Sequence, residues 1–238
     1  VGGDEFKKTK EKAKASIRKL AFDLLKLYQE REKQKGYKYS PDTPWQREFE
    51  ENFEYDLTDD QDRAVREIKD DMEKGRVMDR LVCGDVGYGK TEVSFRAAFK
   101  TVMDNKQVAI LAPTTILAKQ HFNTLNARLQ GFGIKTVLLS RLQSDKEIDR
   151  SPKEIEDGVV SIVVGTHRIL SKDVAFHDLG LLILDEEQRF GVEHKEKLKT
   201  VKKDVNVLTL TATPIPRTLN LALSGVRDIS LLETPPKN

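Results

Sequence analysis

The sequence predicts an α/β fold: a mostly parallel sheet flanked by helices and preceded by a long N-terminal helix. Three observations lead there. Short apolar runs alternate with helical stretches over residues 57–238, a glycine-rich turn from Gly84 to Thr91 follows the first of those runs, and a charged segment near the N-terminus repeats apolar residues every three or four positions.

Taken in chain order, Lys7 to Lys35 places Ala13, Ile17, Leu20, Ala21, Leu24, Leu27 and Tyr28 on one stripe before Gly36, which predicts one long amphipathic helix. Such a stripe is expected to pack on the domain, and the helix could also connect to a neighbouring domain. Residues 37–56, with Pro41, Pro44, Trp45, Phe49, Phe53 and Tyr55, break the period and read as a linker holding one short helix. The expected division is a connecting helix and linker over 1–56 and one large domain over 57–238. That domain opens where Thr58 precedes Gln61 by three positions and Ala64, Val65, Ile68 and Met72 follow, a capping-box helix start. Six apolar runs come next: Leu81 to Cys83, Val108 to Ala112, Thr136 to Leu139, Ser161 to Val164, Leu181 to Leu184 and Val207 to Leu210. Strands of that kind, joined by helical crossovers, are buried on both faces, and ligands of such sheets sit beyond the carboxyl ends of the strands. The start at Val1-Gly2-Gly3, without methionine, and the ending Pro235-Pro236-Lys237-Asn238 lead us to expect an excised fragment.

Composition narrows the chemistry mainly by exclusion. One cysteine, Cys83, and four scattered histidines build neither a disulfide framework nor a clustered zinc site, and favour a reducing cytoplasm. No apolar run approaches the roughly 20 residues that span a bilayer, so no membrane association is expected. A net charge of +2, with 34% charged residues, leaves nucleic-acid binding to be argued from local features.

The turn Gly84-Asp85-Val86-Gly87-Tyr88-Gly89-Lys90-Thr91 matches G-x-x-x-x-G-K-[ST] between an apolar run and a helical segment. Glycines there let backbone N–H groups curl round phosphate oxygens, Lys90 can reach the terminal phosphates of ATP, and Thr91 can hold Mg²⁺. The run Leu181 to Leu184 ends in Asp185 and Glu186, so Asp185 is expected on the metal side and Glu186 as the base that orients and deprotonates an attacking water. No arginine lies in an obvious finger motif, so a leaving-side cation is expected from another part of the protein.

Asp185-Glu186-Glu187-Gln188 resembles the D-E-x-H/Q box of superfamily 2 helicases and translocases. Ala112-Pro113-Thr114-Thr115, Gly165-Thr166-His167-Arg168 and Thr211-Ala212-Thr213-Pro214 resemble that superfamily's motifs Ia, Ib and III. The longer strings Cys83 to Val93, Asp185 to Val192 and Leu210 to Leu219, with Met78-Asp79-Arg80 and Glu233-Thr234-Pro235-Pro236, are similar to the bacterial transcription-repair coupling factors. They are more distantly similar to the RecG-type fork-remodelling helicases.

The resemblance implies the first of two RecA-like lobes of a P-loop motor that tracks double-stranded DNA, with the second lobe and its arginine finger elsewhere. It also implies RNA polymerase and excision-repair proteins as partners of other domains. Gln188 stands where many relatives have histidine and would bridge the γ-phosphate region to Thr211 or Thr213. Thr114, Thr115, Arg141, Thr166, His167 and Arg168 would follow the phosphate backbone of one DNA strand. Thr114 could instead only cap the next helix, and Arg168 could form a surface ion pair. Phe53 and Gln61 are adenine-pocket candidates, although Gln61 also completes the capping box. Arg189 and Phe190 could relay nucleotide state to the DNA side or simply pack.

Overall fold

The structure, a computed structural model, describes residues 3–140, 145–186, 189–201, 204–214 and 227–237. Its centre is a parallel sheet of β1 (Asp79–Gly84), β2 (Gln107–Leu111), β3 (Thr136–Leu139), β4 (Ile162–Gly165), β5 (Leu179–Asp185), β6 (Asn206–Thr211) and β7 (Asp228–Leu232). Their spatial order is β3-β4-β2-β5-β6-β1-β7. The six apolar runs became strands because β-branched and leucine side chains suit a pleat, buried on both sides in the inner five and only partly buried in β3 at the edge. Within β2 the alternation sorts residues between two cores: Val108 and Ile110 join the first, Ala109 and Leu111 the second.

The first core lies under α2 (Pro44–Glu51), α3 (Asp59–Glu73), α4 (Lys90–Met103) and α5 (Thr115–Leu129). The second lies under α6 (Asp145–Glu156) and α7 (Val192–Val201), with Ile169 of the 3₁₀ turn His167–Leu170.

Three features differ from the sequence reading. A seventh strand, β7, pairs with β1 from Arg80↔Asp228 to Gly84↔Leu232. It is short and only alternately buried, as an edge strand can be, so no continuous apolar run announces it. The segment read as a linker is built into the core. Thr43 caps α2 by accepting from Gln46 N, Phe49 is fully buried and stacks on Phe99 at 4.4 Å, and Tyr39 N donates to Met72 O at 3.0 Å. Finally, α1 (Gly3–Lys33) forms as expected, but each of its side chains that the structure describes is exposed, Ile17 by 67% and Leu20 by 59%. An apolar stripe specifies that a helix has a face to cover, not what covers it.

Register then decides where the motifs meet. Gly84 pairs with Leu232, Cys83 with Thr211, Leu111 with both Gly165 and Leu184, and Asp185 with Leu210. Because every strand runs the same way, the turn after β1, Thr114 after β2, Thr166 after β4, Glu186 after β5 and Thr213 after β6 all leave from one edge of the sheet.

Candidate functional site

The glycine-rich turn leaves β1 at Gly84 and closes on Gly89, the residue before α4. Gly87 (φ 84°) and Gly89 (φ 82°) take left-handed backbone that a side chain would strain. A Cβ on Gly89 would also run into Gln61 Nε2. That glutamine is held on both sides: its Oε1 accepts from Thr58 N at 3.0 Å and its Nε2 donates to Tyr88 O at 2.8 Å, while Thr58 Oγ1 accepts from Gln61 N. The capping box of α3 is thereby tied to the turn.

Lys90 Nζ turns back into the loop and donates to the carbonyls of Gly84 and, at 2.9 Å, Asp85. Burial pushes its ammonium below the ordinary lysine range, and the negative charges of Glu186, Asp185 and Asp85 pull it partly back. Beside it opens a cavity of about 700 Å³ whose lining includes Phe53, Gly87, Lys90, Thr91, Asp185 and Glu186. Val86 stands 86% exposed at the tip of the turn.

Glu186 has φ 55°, an uncommon conformation for a residue with a side chain. It is fixed there by Glu186 N donating to Leu210 O at 2.9 Å, and its Oε1 accepts from Ala212 N at 3.2 Å. The acidic box is thus joined to the segment after β6, where Thr211 Oγ1 also accepts from Thr213 N. Asp185 Oδ2 lies 2.7 Å from His121 Nε2 on α5, a contact that no motif spacing announced.

The structure brings Gly84, Asp85, Val86, Gly87, Tyr88, Gly89, Lys90, Thr91, Asp185 and Glu186 into one neighbourhood. Phe53 reaches the same cavity, and its ring sits under Arg96 (5.6 Å) and Arg128 (5.3 Å). Arg189, exposed, lines it too. Gln188 and Arg141 lie outside the described residues.

On the expected DNA side, Thr114 Oγ1 accepts from Leu117 N and caps α5. Arg168 makes a two-pronged ion pair with Asp173, 2.7 Å at each nitrogen. Thr166 is buried, and His167 stacks on His194 of α7 at 4.6 Å.

Residues that could hold a nucleoside triphosphate are those whose chemistry fits phosphate: a left-handed glycine turn, the N-terminus of α4 and a part-buried lysine. Those that could hold Mg²⁺ are Thr91 and Asp185. Among the described residues no group of three or more His, Cys, Asp or Glu is arranged to cage a metal alone. That donor set suits a hard ion sharing phosphate oxygens. No helix of the described residues is long and apolar enough to cross a membrane.

A family model described as DEAD/DEAH box helicase matches residues 58–222. The transcription-repair-coupling factors of Bacillus subtilis (strain 168) and Staphylococcus aureus (strain USA300) are 60% and 59% identical over all 238 residues, which correspond to 20% of each relative. The chain therefore spans about a fifth of the length of the curated relatives it matches. Among solved structures, RecG bound to a three-way DNA junction superimposes with a TM-score of 0.80 at 34% identity, over 92% of this chain and 30% of that one.

Proposed function

The chain belongs to the DEAD/DEAH box helicase family, and on that premise we propose that it is the ATP-binding, RecA-like lobe of an ATP-driven double-stranded DNA translocase. The observation that carries the reading is the convergence of Lys90, Thr91, Asp185 and Glu186 on one cavity at the carboxyl edge of the sheet.

The backbone of Gly84 to Thr91 and the Lys90 ammonium hold the phosphates, for which Lys90 exchanges its carbonyl partners for phosphate oxygens. Thr91 and Asp185 would hold Mg²⁺, which when bound would neutralise charge on the phosphates of ATP. Glu186, held by Ala212 N, orients the attacking water and takes its proton. Gln188, Thr211 and Thr213 report the state of the γ-phosphate across β5 and β6. Phe53 and Gln61 flank the adenine side, where Gln61 keeps one amide hydrogen beyond its bond to Tyr88.

Duplex DNA runs along Thr114, Thr115, Arg141, His167 and Arg168, with the buried Thr166 supporting that turn from within. Thr114 caps α5 through its oxygen lone pair and keeps its O–H to donate to phosphate. The leaving-side arginine comes from a second RecA-like lobe, so this lobe alone binds ATP and turns it over weakly. The domain division proposed is a connecting helix and linker over 1–56 and the lobe over 57–238, with the linker docked on the lobe through Tyr39 and Phe49, in a cytoplasmic protein.

Identity of about 60% to transcription-repair-coupling factors supports a role in displacing stalled RNA polymerase and joining transcription to excision repair, through domains outside this chain. The superposition on RecG favours a second reading, a lobe of a fork remodeller. Comparing ATPase rates of this chain, and of a version extended through a second lobe, with and without duplex DNA tests the proposal. DNA-stimulated turnover only in the extended version is expected, and equal stimulation of this chain alone would overturn the assignment of the arginine to a second lobe. Displacement of a stalled RNA polymerase by the full-length protein separates the two readings.

A further inference from the structure

One face of α5 lies on the sheet through Ala118, Leu125 and Leu129, all buried. His121 sits on that same face, one turn beyond Ala118, and its side chain is 13% exposed. It comes down over the end of β5, where Nε2 meets Asp185 Oδ2 at 2.7 Å. A carboxylate can only accept, so Nε2–H is the donor. Asp185 is itself 14% exposed and faces the cavity that holds Lys90 and Thr91, whereas His121 is not part of the cavity's lining.

We propose that His121 is a positioning residue for Asp185: by engaging Oδ2 from outside the cavity, it holds the carboxylate in one rotamer and leaves Oδ1 as the oxygen that would meet a hydrated metal. The inference rests on the metal-side assignment of Asp185 given above. Three observations point to this role rather than to an ordinary ion pair.

The first is geometry. A carboxylate at a strand end has a rotatable χ1 and χ2, and a second donor from a different element removes that freedom before any ion arrives. The second is the origin of the donor. α5 is anchored at its start by the Thr114 cap and near its end by Arg128, which donates to Glu92 in the first turn of α4 at 2.6 and 3.0 Å. Glu92 directly follows Thr91, so the helix that places His121 beside Asp185 is also fixed to the segment that carries the other metal-side group. The third is economy of partners: Glu186, the neighbouring acid, is held by Ala212 N after β6 and Asp185 by His121 of α5, so the two carboxylates are oriented by separate elements and point to separate tasks.

The test titrates Mg²⁺ against binding of a fluorescent ADP derivative to this chain at fixed pH. His121→Phe keeps the ring and its packing and removes the donor; His121→Gln keeps an N–H at the reach of Nε2. The Phe variant is expected to raise the Mg²⁺ concentration at half-effect by about tenfold, the lower end of what lost outer-sphere support costs. Metal-free affinity, which depends on the glycine turn and Lys90, stays at the level of the unmodified chain. The Gln variant returns the midpoint toward that of the unmodified chain.

An unshifted midpoint in the Phe variant overturns the inference, and so does a Gln variant as impaired as the Phe variant, since both would reduce His121 to packing. Asp185→Asn separates the levels. If it shifts the midpoint while His121→Phe does not, only the His121 role falls. If Asp185→Asn shifts nothing, the metal-side assignment falls and takes this inference with it.

Discussion

Gln61 Nε2 donates to the Tyr88 carbonyl at 2.8 Å, so the glutamine that closes the cap of α3 also braces the turn between β1 and α4. Gln61→Ala removes a cap partner and the brace together. It should lower stability by about 1 kcal/mol in urea unfolding, the usual size of a lost helix cap, and weaken nucleotide binding besides. Loss of stability with unchanged nucleotide affinity would show the brace to be inert.

A second prediction concerns the charged contact behind the cavity. Arg128 donates to both oxygens of Glu92, whose side chain is 7% exposed, and to Phe49 O at 2.8 Å. Arg128→Ala leaves Glu92 with the longer contact to Arg96 and uncovers the Phe49 carbonyl. Breaking such a part-buried pair should cost about 3 kcal/mol, read as a fall in the urea midpoint, and a double-mutant cycle with Glu92→Gln should recover part of it.

Cys83 supplies a pH signature. Burial pushes its thiol from 9.0 up to about 11, with Arg227 and Lys90 opposing. Between those values the unfolded chain has released the proton that the folded chain retains. The contribution to stability is therefore fully present below the unfolded value and is lost as pH rises toward the folded one. Stability should fall more steeply over that alkaline window in the native chain than in Cys83→Ala. At mildly alkaline pH the native thiol, 4% exposed, should react with Ellman's reagent far more slowly than in urea.

Glu186→Gln keeps the shape of the acidic box and removes the base. ATP binding should persist, while turnover by a version extended through a second lobe should drop by at least about 100-fold, the lower end of general-base contributions. Turnover close to that of the unmodified protein would move the base to another residue.

Much of this arrangement was legible in the residues, for reasons that can be named. The five inner strands announced themselves because burial on both faces demands unbroken apolar runs, the edge strand β3 through its short run Thr136 to Leu139, and the glycine turn because left-handed backbone at Gly87 and Gly89 demands glycine. β7 was not legible, since Asp228-Ile229-Ser230-Leu231-Leu232 needs only alternate burial at an edge. Tyr39 and Phe49 misled for a related reason: an aromatic in a proline-broken segment carries no period, yet each fills a core position. The site was legible where a motif spans a single turn. His121, 64 residues from Asp185, and Arg128, 36 from Glu92, meet their partners only through the crossing of α5 over the sheet, which no local spacing encodes.

The central claim is that the turn after β1 grips the phosphates of ATP, and Lys90→Ala tests it most directly. Nucleotide affinity measured by titration calorimetry should fall by at least about 100-fold, equivalent to about 2.7 kcal/mol, with the fold retained by circular dichroism. A Lys90→Ala chain that binds ATP as tightly as the unmodified protein would contradict the account.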